Sequence, residues 1–202
     1  MSKLRLFVAL DPGDAIKGEM TRLQEALRHN GCPPLKWTRP EGIHITIKFL
    51  GHVDEERIGA IGTALEEACS HVGRITLQPG SVSTFGGRSP RVVWAGLDGD
   101  LERLSSLQRS VDDALSSLGF MSENRTFNPH LTIARVPDRL PPGELRSIVA
   151  AVAAVERAEP LQQAFGEALL VRSILDPGGA VYSTLAAFRL DAGHPVARAS
   201  GR

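Results

Sequence analysis

Two short apolar segments of this chain carry the same polar insert, a histidine followed two residues later by a threonine. The segments are residues 43–47 and 129–133, with the sequences IHITI and PHLTI. Both alternate polar and aliphatic residues, a pattern that is typical of a half-buried strand. Alternate side chains of a strand share one face, so His44 and Thr46 are predicted to point together, as are His130 and Thr132. The fold must therefore supply two strands, each with a small polar platform.

Helical and extended patterns alternate along the rest of the chain. Apolar residues at helical spacing predict helices over residues 14–28, 54–68, 101–118 and 145–155. Short apolar runs predict strands over residues 5–10, 75–77, 92–97, 168–175 and 181–190. Turn-forming residues predict that the first motif strand ends at Gly51, that 79–90 is a connection, and that 176–179 is a hairpin turn.

The order of these elements roughly repeats from one motif to the next, which favours two similar lobes that face each other. A chain of 202 residues, 42% of them hydrophobic, is long enough to bury the core of such a molecule. Beyond the motif the two halves share little sequence, so a duplication is inferred from the pattern alone. We predict a single bilobal domain over residues 1–190 and a flexible C-terminal tail over 191–202.

Charge and cysteine content narrow the range of possible partners and cellular locations. Lysine plus arginine and aspartate plus glutamate each number 23, so the formal net charge is zero. This argues against a protein that holds long nucleic acid through many phosphate contacts, and any such contact is expected to be local. Cys32 and Cys69 fit no disulfide or zinc pattern, which indicates a reducing cytoplasm. No segment approaches the length of a membrane span, so no membrane partner is expected.

The two motifs suit acid–base chemistry at a phosphate. Histidine exchanges protons near neutral pH, so two imidazoles can divide the roles of acid and base. In-line cleavage of a phosphodiester needs a base on the attacking water and an acid on the departing oxygen. Threonine hydroxyls beside them can donate to non-bridging oxygens. Neither motif has the carboxylates of a magnesium or two-metal site, so a mechanism without a metal or other cofactor is predicted.

Two cations flank the motifs. Lys48 follows Thr46 by two residues and is predicted to share the polar face of the strand, as a solvated residue rather than a catalyst. Arg135 follows Thr132 by three residues, so simple alternation directs it away unless the strand bends or ends there. Phe49 and Trp94 are predicted to be core or cleft-wall aromatics that could stack on a base.

The paired motifs, with Ile47 and Ile133 at the aliphatic position after each threonine, resemble those of the two-histidine (2H) phosphoesterase superfamily. Segments 5–10, 37–51, 90–97 and 129–135, and Pro-Gly-Gly before Tyr182, are similar to its RNA 2′,3′-cyclic phosphodiesterase (LigT-like) branch. The resemblance implies a bilobal α+β fold, in which two antiparallel sheets line a central cleft and helices lie outside.

The resemblance also implies roles for the site residues. His44 would be the proton donor and His130 the proton acceptor, while Thr46, Thr132 and Arg135 would hold the phosphate. The implied reaction opens an RNA 2′,3′-cyclic phosphate to a 2′-phosphomonoester. The partner would be an RNA end or a small nucleotide with a cyclic phosphate, and a monomer without an obligate protein partner is expected. A non-catalytic RNA-end binding module and an enzyme that joins RNA ends through 2′-5′ linkages are the alternatives.

Overall fold

Nine strands and four helices make up the α+β structure, a computed structural model that describes residues 3–87, 89–123, 125–176 and 179–191. The strands are β1 (Lys3–Leu10), β2 (Lys36–Trp37), β3 (Ile45–Asp54), β4 (Ile75–Phe85), β5 (Val92–Gly99), β6 (Leu131–Arg135), β7 (Gln163–Phe165), β8 (Glu167–Asp176) and β9 (Gly179–Arg189). The helices are α1 (Gly13–His29), α2 (Ile58–Ser70), α3 (Leu101–Ser116) and α4 (Pro142–Ala154).

The strands pair antiparallel in the order β7-β4-β5-β6-β3-β1-β8-β9, and β2 adds to β6. A single register pair, Ile45 with Leu131, joins the half that ends in β6 to the half that begins with β3. The two sheets implied by the resemblance are therefore the two halves of one continuous sheet. The α+β class is confirmed.

Each half of the sheet carries two helices. The helices α2 and α3 pack on each other and against β3, β8 and β9, whereas α1 and α4 lie against β6 and β4. The chain thus crosses between the halves, because α1 follows β1 of one half and covers β6 of the other. The main core fills the space between helices and sheet, with fully buried side chains such as Leu23, Leu65, Leu107 and Ile148. None of the helices in the described residues has the length and apolar character that a membrane crossing demands.

Two predicted strand boundaries are wrong. Most of the connection predicted at 79–90 is strand, because β4 pairs with β5 as far as Phe85 through a register shift between Pro79 and Val82. The turn that remains requires glycine at Gly86, where φ is 107° and a Cβ would clash with the Ser89 carbonyl oxygen. Likewise, β3 continues beyond Gly51 to Asp54, and a φ of 72° at Gly51 accommodates the irregular pairing with β1.

The four predicted helices are confirmed, with small shifts at their ends. The strands on either side of the predicted hairpin turn are also confirmed, since β8 and β9 pair from Glu167 with Arg189 to Asp176 with Gly179. Residues 177–178 of that turn and residues 192–202 of the predicted tail lie outside the described residues. The short strands β2 and β7 have no signal in the sequence pattern.

Candidate active site

The two His-x-Thr motifs meet where the halves of the sheet join. Each histidine immediately precedes its motif strand, β3 or β6, rather than lying within it. Because the two strands pair antiparallel at their first residues, the same register sets His44 opposite Thr132 and Thr46 opposite His130. Each histidine therefore faces the threonine of the other motif in an approximately two-fold arrangement.

A cleft of about 500 Å³ lies over this junction. Its walls include His44, Thr46, His130, Thr132 and Arg135. The volume falls within the range of roughly 300–1,000 Å³ that is usual for small-molecule sites. The structure thus gathers into one cleft five side chains that come from two distant parts of the chain.

A β-bulge after each threonine determines which flanking residues reach the cleft. The register of β3 with β1 skips Ile47, and the register of β6 with β5 skips Ile133. Both isoleucines are buried in the main core. The extra residue breaks the alternation, so the third residue after the threonine faces the cleft and the second does not.

The bulges account for the positions of the flanking residues. Arg135, the third residue after Thr132, lines the cleft although simple alternation directs it away. The prediction that Lys48 is a solvated residue on the polar face is wrong. Lys48 is 5% exposed and lies on the helix side, where its ammonium group binds Asp112 and donates to the Met121 carbonyl at 2.8 Å. Phe49, 61% exposed, takes the cleft position that matches Arg135.

Hydrogen bonds from Gln24 of α1 and from the backbone of Thr38 hold the second bulge. The carbonyl of Ile133 accepts from the backbone N–H of Thr38 at 3.0 Å and from the side-chain amide of Gln24 at 3.1 Å. The same amide donates to the Thr38 carbonyl at 2.7 Å, and the Gln24 side chain is buried. A single residue of α1 thus ties the bulge of the second motif to the segment that leads into the first.

Each histidine ring also packs against two aromatic rings of its own half of the sheet. The centroid distances are 4.7 Å for His44 to Phe7, 5.3 Å for His44 to Tyr182, 4.9 Å for His130 to Phe85 and 6.0 Å for His130 to Trp94. These rings restrict the orientation of the imidazoles and exclude water from part of their surface. Phe7 and Phe85 are not identified as site residues by the sequence, because its pattern does not separate them from core aromatics.

This environment lowers the pKa of both histidines. Burial is the main reason that the pKa of His44 falls to about 4; charges on His130 and Arg135 lower it too, while a hydrogen bond with the Gly42 backbone raises it. Burial likewise lowers the pKa of His130, with a smaller contribution from the Arg135 charge and an opposing hydrogen bond with Asn128. Both rings are therefore mainly neutral at pH 7 in the ligand-free cleft.

The tautomer of His130 is fixed by its backbone contact. Its Nδ1 lies 2.7 Å from the Asn128 carbonyl oxygen, which can only accept a hydrogen bond. Nδ1 therefore carries the proton of the neutral ring, and Nε2 keeps its lone pair. That arrangement suits a proton acceptor. Within the described parts of the chain, no three His, Cys, Asp or Glu side chains are grouped as ligands for a metal ion.

Comparison with known proteins gives matches along most of the chain. Residues 10–94 and 97–182 match the family described as LigT like Phosphoesterase. The chain is 35% identical to the RNA 2′,3′-cyclic phosphodiesterase of Archaeoglobus fulgidus, over 92% of this chain and 99% of that protein. It is 30% identical to the protein of the same name from Methanothermobacter thermautotrophicus, over 93% of this chain and 100% of that protein.

Solved structures share the fold. The E. coli LigT structure complexed with 3′-AMP gives a TM-score of 0.74 at 22% identity and covers 94% of this chain and 99% of that one. The structure of TT0787 of Thermus thermophilus gives a TM-score of 0.73 at 23% identity, with the same coverage. At these identities the likeness establishes the bilobal α+β arrangement.

Proposed function

The chain belongs to the LigT-like phosphoesterase family, and on that premise we propose that it hydrolyses the 2′,3′-cyclic phosphate at an RNA end to a 2′-phosphomonoester. Curated relatives that share about a third of its residues along almost its full length are named RNA 2′,3′-cyclic phosphodiesterases. The observation that carries the proposal is that both histidines and both threonines line one cleft.

In the proposed reaction the two histidines act on opposite sides of the phosphorus atom. His130 accepts a proton from water through Nε2 as the water oxygen bonds to phosphorus. His44 donates a proton to O3′ as the bond between phosphorus and O3′ breaks, and the phosphate remains on O2′. Protons then exchange with solvent and restore the starting state. The fixed tautomer of His130 supports its role as the base.

We propose that His44 takes up a proton from solvent when the substrate binds. Its pKa of about 4 leaves the ring neutral at pH 7 when the cleft is empty. An anionic phosphate between the rings favours the imidazolium form, because a nearby opposite charge raises the pKa of a histidine. Binding and protonation are therefore coupled, and the acid is charged mainly when a phosphate is present to receive its proton.

The remaining polar groups are proposed to hold the phosphate. The hydroxyls of Thr46 and Thr132 donate to its non-bridging oxygens, one from each half of the sheet. Arg135 supplies a positive charge close to the second motif. Donors already in place stabilise the charge that develops in the transition state without reorganising. The neutral net charge of the chain supports a local contact of this kind with a nucleic-acid end.

We place the substrate among RNA ends and small nucleotides that carry a cyclic phosphate, and we propose a monomer that needs no protein partner. The free thiols of Cys32 and Cys69 support a reducing cytoplasm as its location. Size-exclusion chromatography coupled to light scattering tests the oligomeric state. We further propose that residues 1–190 form a single domain, and we expect its site to act without added metal.

The proposed function predicts that either histidine is essential. A dinucleotide ending in a 2′,3′-cyclic phosphate is incubated with the protein in EDTA, and the product isomer is identified by phosphorus NMR. We expect the 2′-phosphate, and we expect His44→Ala and His130→Ala each to lower kcat about 10³-fold with an unchanged melting temperature. The double variant should be barely worse than the worse single one, because the two groups act as a unit.

The exposed histidine His29 on α1 provides the matched control, and His29→Ala should keep full activity. Binding without turnover would replace the proposal with an RNA-end binding module, and 2′-5′ linked product from paired ends would identify a joining enzyme. Full dependence on added metal would refute the assignment of the two histidines.

A substrate with sulfur in place of O3′ separates the two roles. Sulfur leaves without a proton, so the variant that lacks the acid recovers activity on this substrate and the variant that lacks the base does not. We expect His44→Ala to lose far less activity on the sulfur substrate than on the oxygen substrate. His130→Ala should lose the same factor on both. The opposite pattern would exchange the roles of the two residues.

A further inference from the structure

A second arginine, Arg5, lines the cleft from the other half of the sheet. It lies on β1, where Phe7 and Ala9 follow on the same face and form a small apolar cluster beneath the cleft. Arg5 is exposed, and no carboxylate among the described residues forms an ion pair with it. A cation without a counter-ion on the wall of a binding cleft is available for an anionic ligand.

Arg5 is too far along its strand to hold the phosphate that the threonines hold. The β1 residue in register with Thr46 is Ala9, four residues beyond Arg5. At about 3.3 Å per residue this places the Cα of Arg5 roughly 13 Å along the strand from the level of Thr46. Even with its side chain extended toward the histidines, the guanidinium group would reach an anion next to the reacting phosphate rather than the reacting phosphate itself.

The surface between Arg5 and the histidines is aromatic. The ring of Phe7 is 3% exposed and forms the floor, 4.7 Å from His44, 5.9 Å from the exposed ring of Phe49 and 5.6 Å from the half-buried ring of Tyr182. Phe49 and Tyr182 are thus the rings on which a base can stack, and aromatic surfaces flanked by basic side chains are typical of single-stranded nucleic-acid sites. A terminal nucleoside stacked there, with its cyclic phosphate at the histidines, would direct its other phosphate toward Arg5.

Ser173 adds a second donor at the same place. It is the register partner of Arg5 on β8, it is 7% exposed, and it lines the cleft. Its hydroxyl can donate to the oxygen of a phosphodiester held by the guanidinium group. The far end of this half of the cleft therefore combines a charge and a hydroxyl, as the reacting centre does.

We propose that Arg5 binds the phosphodiester on the 5′ side of the terminal nucleoside and so makes the protein favour the end of an RNA chain over a mononucleoside 2′,3′-cyclic phosphate. The inference rests on the proposed function and extends it to substrate choice. It also gives the RNA a direction, because the chain enters over the half of the sheet that contains β1 and β8 and ends at the histidines.

The test compares kcat/KM for a dinucleotide with that for the mononucleoside, both ending in the 2′,3′-cyclic phosphate of the same base. In Arg5→Gln the ratio of the two constants falls about tenfold, the effect of losing one charge-assisted hydrogen bond in a partly solvated cleft. Arg5→Lys keeps most of the ratio. A dinucleotide with an uncharged methylphosphonate linkage lowers the ratio in the wild type by the same factor, and Arg5→Gln lowers it no further.

Lys3→Gln is the matched control, because Lys3 lies on the same strand, contacts Asp54 and is not part of the cleft wall. It removes the same charge and should leave the ratio unchanged. If the wild type hydrolyses both substrates and a folded Arg5→Gln variant has the same ratio of kcat/KM values as the wild type, this inference is overturned and the proposed function stands. Further loss on the methylphosphonate substrate in Arg5→Gln also overturns it. A wild type that hydrolyses neither substrate overturns the proposed function as well.

Discussion

At the scale of single residues, Arg135 has opposing effects on the site. In the proposed function its positive charge attracts a phosphate, and the same charge lowers the pKa of His44 and of His130. Removing a like charge makes the imidazolium form less costly, so Arg135→Gln raises both pKa values. The profile of kcat/KM against pH, which reports the free enzyme, therefore shifts toward higher pH as its maximum falls.

Arg135→Lys is the control for this prediction, because it keeps the charge and should leave the profile near its original position. NMR titration of the histidine rings measures the same shift directly in the ligand-free protein. In the wild type the His44 ring should stay neutral down to about pH 4. A displacement toward lower pH in Arg135→Gln would contradict the electrostatic account.

The sequence predicts the four motif residues better than it predicts their neighbours. The alternation around His44 and His130 correctly puts each threonine on the same side as its histidine, since no irregularity falls between them. The bulges come directly after the threonines, and alternation cannot show where an extra residue breaks the pairing. That is why alternation assigns Lys48 to the wrong face.

At the scale of elements, Lys48 connects β3 to α3 beneath the cleft. Its ammonium group and the Asp112 carboxylate are 4% and 13% exposed, and the carboxylate also accepts from the Glu123 N–H at 3.3 Å. Burial is the largest influence on Asp112 and raises its pKa, but the hydrogen bonds from Lys48, Glu123 and Ser122 and the charge of Lys48 together outweigh it, so the pKa is lowered. The pair is therefore ionised and holds the segment that follows α3.

Lys48→Met should lower the free energy of unfolding by about 3 kcal/mol, because it leaves a buried carboxylate without its partner. Replacing both residues, as Lys48→Met with Asp112→Leu, should recover much of the loss. Urea denaturation measures both changes. The exposed pair of Lys3 and Asp54, 4.0 Å apart, is the comparison, and Lys3→Gln should cost less than about 1 kcal/mol. Equal losses in the two single variants would refute the role given to the buried pair.

The sequence pattern predicts some helices and strands more clearly than others. The apolar stripe of α3 recurs at helical spacing for its whole length, and its buried residues match that stripe. The C-terminal part of β4 is rich in serine, glycine and proline, and only its pairing with β5 makes it a strand. Strand formation depends on a partner distant in sequence, which composition does not encode.

At the scale of the whole molecule, the crossing of the chain makes the two halves of the sheet dependent on each other. The helix α1 covers the β6 half although β1 belongs to the other half, and one buried side chain of α1 bonds the bulge of β6. The repeated element order predicts two similar halves. It does not predict this exchange, because a hydrophobic stripe shows that a helix packs and not on which sheet.

A single cooperative unfolding transition is therefore expected. The fluorescence of Trp37 in β2 and Trp94 in β5 reports on the half of the sheet that ends in β6, whereas far-UV circular dichroism reports on the helices of both halves. The two signals should give the same midpoint in urea, since neither half retains its helices when the other unfolds. A fragment of residues 1–90 should lack stable structure, because α1 then has no β6 to cover. Separate midpoints, or a folded fragment, would show that the halves are independent.

The matched bulges place a phenyl ring, Phe49, in one copy of the motif where the other copy has a guanidinium group. In a palindromic groove a cyclic phosphate could enter in either orientation, and each orientation would break a different phosphorus–oxygen bond, so a mixture of regioisomers would be released. A charge beside only one of the two motifs adds to the asymmetry that Arg5 and Ser173 give the other half of the wall. We therefore expect the ligand to enter in one orientation and to yield one isomer.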